Sequence, residues 1–460
     1  MPTPAATLRH RTRLSETVGR PILVMAGTPR VRNIPINHLP FRADSSFLYL
    51  TSCHTPGAAV LVDGSEHTLF LPRPPADDAL WHGPQPSIEE QGAALGFQQV
   101  RPTSELADAC GALDHIASLA STDPTTNALL EQLTGRVHDW RSAPGTGGLV
   151  DALIAQRSQL DADELDELRR IATVTTAAHV AAMAGTRPGG TEAGVGALFD
   201  GVIAAHGLTT AYDSIVTVRG EVLHNFHRTH TLNDGQLLLL DGGAEGTSGY
   251  ATDVTRTWPV SGTFTPRQKA AYEAVLAAQQ VSIDLCRPGV RYRDIHLASA
   301  RILTQWLCDE GLLSGSVDSL VERGAHALFF PHGVGHLIGL DVHDLELYGD
   351  RAGYGPGRTR STQFGLNALR LDRDLAVGNV VTIEPGFYVV PDILHSADIV
   401  APFKDCFDAA RAESWLGFGG IRIEDDVHVG NDGPEVLTAA IPKTIAEVEA
   451  AVAADVVPFW

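Results

Sequence analysis

The sequence predicts a two-domain protein of the α+β class. Three observations carry that expectation. Short apolar runs and turns crowd the first third, a Pro/Gly-rich break follows Trp140, and beyond it long helical periods stand in blocks between short strands. A chain of 460 residues allows two or three domains, and its 44% hydrophobic content is ample for a buried core.

In the first third, residues 35–40 are loop-like and Phe47-Leu-Tyr-Leu50 reads as a buried strand. Residues 58–62 and 67–71 are strands flanking Asp63-Gly64, a hairpin-turn signal. The stretch Arg141-Ser-Ala-Pro-Gly-Thr-Gly-Gly148 reads as a linker, which divides the chain into residues 1–150 and 151–460. Next, acids from Asp161 onward fill a first helical turn, where they suit the positive end of the helix dipole. Leu165, Leu168 and Ile171 follow at helical spacing, and Gly185 is the stop. Helices are expected over 267–287 and 292–311, with a last one after Pro442. Strands are expected at 214–218, 236–240, 380–383, 387–390 and 421–429.

Charge and cysteine usage narrow the function classes. With 34 Lys+Arg against 55 Asp+Glu the net charge is −21, which disfavours a nucleic-acid partner, because phosphate attraction needs clustered bases. Cys53, Cys110, Cys286, Cys308 and Cys406 are odd in number and scattered, as suits a reducing compartment. No run approaches the roughly 18–20 apolar residues that span a bilayer, and residues 1–14 lack the apolar core of a signal peptide. A soluble cytoplasmic protein with no membrane partner is expected.

The chemistry-bearing residues fall late in the chain. Asp241 ends the run Leu237-Leu-Leu-Leu, and Asp253 follows 12 residues on in a β-rich stretch; alone, Asp241-Gly is more often a turn than a ligand. His332-Gly-Val-Gly-His336-Leu-Ile-Gly-Leu-Asp-Val-His343 interleaves three histidines with glycines that allow close approach of backbone and ligand. It lacks His-Glu-x-x-His and its glycines oppose a regular helix, so it is no zincin motif. Glu384 closes an apolar strand before Pro385-Gly386. Strand alternation puts Arg422 and Glu424 on one face. Four carboxylates and an imidazole make a cage for two divalent cations, and oxygen-rich ligation favours manganese or a similarly hard metal.

The ordered set Asp241, Asp253, His336, Glu384, Glu424 resembles the dinuclear site of the pita-bread metallopeptidases, most closely the proline-specific branch of aminopeptidase P and prolidase. Phe41-Arg-Ala-Asp-Ser-Ser-Phe-Leu-Tyr-Leu-Thr51 and Leu69-Phe-Leu-Pro-Arg73 resemble that branch's amino-terminal domain. The histidine segment, Ile383-Glu-Pro-Gly-Phe-Tyr388 and Gly420-Ile-Arg-Ile-Glu-Asp425 resemble its catalytic signatures. The resemblance implies a carboxy-terminal pita-bread catalytic domain preceded by a smaller α/β domain. It also implies two divalent ions, expected to be Mn(2+), bound by those five residues, with Asp253 and Glu424 bridging. Glu384 would also manage a proton. His224 and His343 would be catalytic, holding substrate and its developing oxyanion. His332, Arg370 and Arg422 would bind substrate, Arg422 by pairing with carboxylates near the metals or with a substrate carboxylate. The implied substrate is a peptide with proline in second position, and a homo-oligomer is expected. For His227 and His230 a solvated loop is the leading expectation.

Two questions stay open in the sequence. Arg370, 14 residues before Glu384, resembles the prolidase arginine that grips a dipeptide's carboxylate, yet it would equally suit a surface pair with Asp372 or Asp374. Arg42-x-x-Ser-x-Phe-x-Tyr-Leu50 and Asp253-Val-Thr-Arg-Thr-Trp258 lie closer to aminopeptidase P. An Xaa-Pro aminopeptidase is therefore the leading expectation, with an Xaa-Pro dipeptidase as the alternative. A non-catalytic binding module on the same fold is the third reading, opposed by the complete ligand set. The Asp241–Asp253 gap is one residue longer than the branch's spacing, and Asn225 stands where an aromatic is common.

Overall fold

The computed structural model describes residues 2–456. It divides into two compact units, Met1–Ser158 with Ala162–Glu164, and Gln159–Asp161 with Leu165–Trp460.

The first unit begins with helix α1 (Pro4–Val18) and strand β1 (Ile22–Met25). Helix α2 (Ser45–Thr51) precedes strands β2 (Ala59–Asp63), β3 (Glu66–Leu71), β4 (Gln99–Pro102) and β5 (Ala117–Ser118). These strands form one sheet in the order β4-β3-β2-β1-β5, antiparallel at its centre and parallel at both edges. The turn at Asp63-Gly64 joins β2 to β3 as expected, with Gly64 at φ +57°. Phe47-Leu-Tyr-Leu50 is helical rather than a strand. The Asp44 carboxylate accepts from Ser46 N at 2.9 Å and Phe47 N at 3.3 Å, and this N-cap outweighs the β-propensity of the aromatic pair. The glycine-rich stretch after Trp140 runs into helix α3 (Gly147–Arg157).

Helix α4 (Ala162–Gly185) has Asp163 and Glu164 in its first turn and ends at the expected glycine, and it belongs to the second unit from Leu165 on. Strands β6 (Ile215–Thr217), β7 (Leu237–Asp241) and β8 (Thr255–Pro259) form an antiparallel sheet with β7 central. Helix α5 (Pro266–Asp284) starts at a Thr265–Gln268 capping box. Helix α6 (Tyr292–Asp309) buries Tyr292, Ile295, His296, Ser299, Ala300, Leu303 and Leu307 along one face, at the three- and four-residue spacing of an amphipathic helix.

Strands β9 (Val380–Ile383), β10 (Gly386–Tyr388), β11 (Gly420–Arg422), β12 (Asp425–Val429) and β13 (Pro434–Val436) follow, and helix α7 (Ile445–Ala453) comes last. The single strand expected over 421–429 is two. β11 pairs with β10 while β12 pairs with β9 and β13, so the chain changes partners at Ile423-Glu424. At the break Glu424 N donates to Thr255 O at 3.0 Å, which brings Glu424 against β8. Among the described residues no helix is long and apolar enough to cross a membrane.

Candidate metal centre and substrate cavity

The two aspartates meet because of strand register. Asp241, the last residue of β7, lies opposite Thr255, the first of β8, so Asp253 returns to the same sheet end despite the separation of 12. The intervening loop folds tightly beneath them. A Cβ at Gly243 would stand 1.7 Å from Thr252 O, so no side chain fits there. His336 reaches the site from an irregular loop laid along β9. His336 N donates to Thr382 Oγ1 and Thr382 N to His336 O, both at 3.0 Å. Gly335 makes that approach possible: its φ is +149°, and a Cβ would meet Thr382 O at 2.2 Å. Glu384 follows β9 directly, its N–H bonded to Val334 O at 2.8 Å. Glu424 enters from the strand break.

These side chains converge on one volume. Donor atoms of Asp241, Asp253 and Glu424 lie within 4.8 Å of one another, and so do those of His336, Glu384 and Glu424, and those of Asp253, His336 and His343. His336 Nε2 stands 3.5 Å from Asp253 Oδ2 and 3.8 Å from Glu384 Oε1. Its Nδ1 lies 2.9 Å from Leu337 O. That carbonyl accepts the Nδ1 proton, which leaves Nε2 as the ring nitrogen that faces the carboxylates and that a metal would take. Thr255 Oγ1 donates to Glu424 Oε2 at 2.6 Å and accepts from Arg422 Nε at 2.9 Å. Arg422 Nη2 donates to Asp241 Oδ2 at 2.6 Å, so of its two expected partners the protein supplies a carboxylate of the cluster. Tyr212 donates its hydroxyl proton to the cluster and lies against both Asp241, at 2.5 Å, and Asp253.

The acids outnumber the positive charge available to them. Burial, then the neighbouring Asp253, Glu384 and Asp241, push the Glu424 carboxyl well above its ordinary value. Burial raises Asp241 despite Arg422, and raises Glu384 to about 7 despite His336 and Arg422. Asp253 goes the other way: burial alone would raise it, but the His336 contact and the Tyr212 hydrogen bond hold it below the usual range. His336 is raised, because Asp253 and Glu384 outweigh its burial. A buried carboxylate cluster of this kind is costly unless cations enter it. Oxygen donors, one oriented imidazole and no thiol fit hard divalent metals.

All ten residues named from the sequence line one cavity of about 630 Å³. His332 sits beside Glu384, with Nδ1 3.7 Å from Oε2, and its Nε2 lies 2.8 Å from the Tyr388 hydroxyl. Arg422 Nη1 donates to that same hydroxyl at 3.0 Å, so Tyr388 is held in the site by hydrogen bonds as well as by packing. The His343 ring meets His336 edge-on, with centroids 4.3 Å apart. Burial lowers both His332 and His343 to about 3, and lowers His224, so these imidazoles face the cavity neutral. Arg370 is in the cavity wall and pairs with Glu346 at 2.6 Å. It is not the surface partner of Asp372 or Asp374, which are taken by Arg291 and Arg358. His227 is exposed, whereas His230 is half-buried against Glu192 at 3.0 Å rather than free in solvent.

Sequence reasoning missed Tyr212, Thr255 and Glu346. Thr255 lies inside the motif around Asp253 and was accessible from it. Tyr212 and Glu346 reach their partners only through the fold and carry no local signal.

Residues 166–431 match the model of metallopeptidase family M24, and residues 8–118 match the aminopeptidase P amino-terminal domain. The chain belongs to family M24. As an M24 metallopeptidase it has the two-domain architecture of aminopeptidase P, with a pita-bread catalytic domain, and it is a metal-dependent hydrolase. It is 33% identical to a probable Xaa-Pro aminopeptidase of Penicillium rubens over 89% of this chain and 88% of that one. It is 32% identical to the Xaa-Pro dipeptidase of Homo sapiens over 95% and 89% of the two chains. The solved structure of E. coli aminopeptidase P with the inhibitor Pro-Leu superposes with a TM-score of 0.80 at 28% identity, covering 98% of each chain.

Proposed function

We infer that this M24 peptidase is an Xaa-Pro aminopeptidase, which hydrolyses the bond between an amino-terminal residue and a following proline. The observation that carries the reading is the convergence of Asp241, Asp253, His336, Glu384 and Glu424 at a cavity that also presents three neutral imidazoles and two arginines. Those five residues would hold two divalent ions, for which we propose Mn(2+). Such ions, when bound, polarise a peptide carbonyl and acidify water near neutral pH.

The chain's own groups supply the rest. Glu384, which lines the cavity beside His332, is suited to take a proton from the attacking water and return it to the prolyl nitrogen as the bond breaks. The neutral His224 and His343 offer N–H donors to the carbonyl oxygen as negative charge develops there. His332, whose Nδ1 bonds Gly333 O at 2.8 Å, presents Nε2 to the Tyr388 hydroxyl and so lines the substrate without carrying charge. Arg422 steadies Asp241 and Tyr388 together. The amide nitrogen of proline has no N–H, so a proline-directed site cannot rely on that donor. Leu223, Phe226 and Val342 give the cavity an apolar wall for the ring.

A dipeptidase is the second reading, and Arg370 in the cavity wall is the observation that favours it, since its guanidinium can meet a free carboxylate. We further propose a cytoplasmic homo-oligomer. Five free cysteines support the compartment, and the oligomer rests on family resemblance. Protein stripped by chelation, reloaded with Mn(2+) and given Xaa-Pro-Xaa and Xaa-Ala-Xaa peptides tests the activity. Release of the first residue from the proline peptide alone is expected. Equal cleavage of both would remove the proline reading, and cleavage of Xaa-Pro but not Xaa-Pro-Xaa would favour the dipeptidase.

A further inference from the structure

Arg370 stands between two cavities. One is the catalytic cavity; the other, about 360 Å³, shares His336, Ala368 and Arg370 with it and is lined in addition by Glu346. Glu346 belongs to the second cavity only, and its Oε2 accepts from Arg370 Nη1 at 2.6 Å. The same oxygen is 3.6 Å from His343 Nδ1. Glu346 Oε1 is buried and has no hydrogen-bond partner among the described residues. The carboxylate therefore has an unused acceptor that a turn of the Arg370 fork can engage, making the pair bidentate.

We propose that Glu346 sets the length of peptide the site accepts, by holding Arg370 from behind and cancelling its charge, so that a dipeptide's terminal carboxylate finds no free guanidinium. This rests on the Xaa-Pro exopeptidase reading and deepens it. An unpaired Arg370 would offer a net positive charge at the cavity wall and reward a carboxylate one residue beyond the scissile bond. With Glu346 in place, a dipeptide carboxylate must compete for the fork against a resident anion and sit near that anion's charge. A longer peptide carries an uncharged amide at the same point and pays neither cost. Specificity here is a difference between two ligands, and a built-in repulsive group supplies it.

The test compares an Xaa-Pro dipeptide with its carboxy-terminal amide, which differs only in that charge. In the wild-type protein the amide is the better substrate. Glu346→Gln keeps the side chain's shape and removes its charge, and Glu346→Ala removes the acceptor as well. In either variant the KM ratio of acid to amide falls by about tenfold, in the range for gaining or losing one charge-assisted contact. Combining Glu346→Gln with Arg370→Gln abolishes that gain. Calorimetric binding of the dipeptide and its amide to metal-free protein gives the same ratio without turnover. If no Xaa-Pro substrate is cleaved by any form, the exopeptidase reading fails, and the calorimetric ratio still decides the role of Glu346. An acid-to-amide ratio that is unchanged in both Glu346 variants overturns the proposal.

Discussion

Glu424 and Asp425 are neighbours in the chain, both buried, and they live in opposite electrostatic worlds. Asp425 lies on the side of β12 away from the cavity. Its carboxylate accepts from Arg256 Nη2 and Lys443 Nζ at 2.7 Å, Thr438 Oγ1 at 2.8 Å and Gln279 Nε2 at 2.9 Å. Burial would raise it, but Arg256 and Lys443 hold it below the usual carboxylate range. Glu424, one residue earlier, faces three other acids and is pushed well above that range. Asp426, one residue later, returns to the acidic side. It is raised by burial and by Asp253, and its Oδ1 is buried without a partner among the described residues. The break before β12 and the alternation within it thus sort three consecutive acids into one with resident cations and two without. A buried acid that the protein has already paired is part of its architecture, while one left unpaired at a cavity is arranged for something that binds.

Glu424→Gln is the sharpest way to break the contrast. If Glu424 holds metal as proposed, its loss should cost about a thousandfold in kcat/KM, beyond the roughly 10- to 100-fold typical of groups that only orient a metal ligand. Metal-free Glu424→Gln protein should melt no lower than metal-free wild type, because an acid that burial and three neighbouring carboxyls disfavour has gone. It should also lose most of the rise in Tm that Mn(2+) gives the wild type. A Tm rise with Mn(2+) equal to the wild type's would mean that Glu424 is not a ligand.

Asp425→Ala should do the reverse. Arg256 and Asp425 are both fully buried, so removing the acid strands a guanidinium and should cost about 3–5 kcal/mol in urea unfolding, whether or not metal is present. Arg256 also donates to Glu424 O at 2.5 Å, so some activity is lost with the stability. Two metal ions per folded molecule should nonetheless remain. A stability loss below about 1 kcal/mol, in the range of an exposed pair, would deny that this pair is structural.

The contrast was only half legible in the sequence. The five metal-binding candidates stood out because Asp241 and Glu384 close apolar strands before glycine or proline, His336 lies in a glycine-interleaved histidine run, and Asp253 and Glu424 sit in β-rich stretches that chain order alone displays. Nothing in Glu424-Asp-Asp426 says which acid faces which way, because that depends on the break at Ile423-Glu424, where two different sheets claim the flanking strands. Tyr212 and Glu346 were invisible for a related reason: each acts through a hydrogen bond 24 or more positions away in sequence. The helix at residues 45–51 was misjudged because a single Asp44 cap decided it against the propensity of the residues inside.

Thr255→Val probes the boundary between the two regions. Thr255 holds Glu424 through its hydroxyl and Arg422 through the same oxygen, and its neighbour Arg256 belongs to the Asp425 side. The substitution keeps the β-branched shape and removes the oxygen. Metal affinity should fall about 10- to 100-fold, while the unfolding energy of metal-free protein should fall by no more than about 1–3 kcal/mol for the lost bonds. Unchanged metal affinity would show that Glu424 is oriented by the backbone alone.

A third arrangement, with the smallest expected effect, sharpens the comparison from outside. His296 on α6 and His326 in the short turn Ala325–Leu328 are both fully buried, with ring centroids 5.7 Å apart. None of their four ring nitrogens has a hydrogen-bond partner among the described residues. These titratable groups are buried by staying neutral, with neither a paired ion nor an awaited metal. Burial lowers His326 to about 4, and burial with the neighbouring His326, His332 and Arg293 takes His296 well below its ordinary 6.5. The unfolded chain gains these protons near pH 6.5 while the folded protein refuses them, so their contribution is complete above that pH. It is lost as pH falls below 6.5, by up to about 1.4 kcal/mol per pH unit for each histidine, and for His326 down to about 4. His326→Phe should therefore flatten the acid slope of unfolding between pH 6.5 and 4.5 by about that amount, whatever it does to stability at pH 7.5. Asp425 gives the opposite control: its depressed value holds stability to lower pH, and its loss begins only where carboxylates protonate. Equal slopes in wild type and His326→Phe would mean that His326 is hydrated or hydrogen-bonded in solution, and that the protein buries its titratable groups by pairing alone.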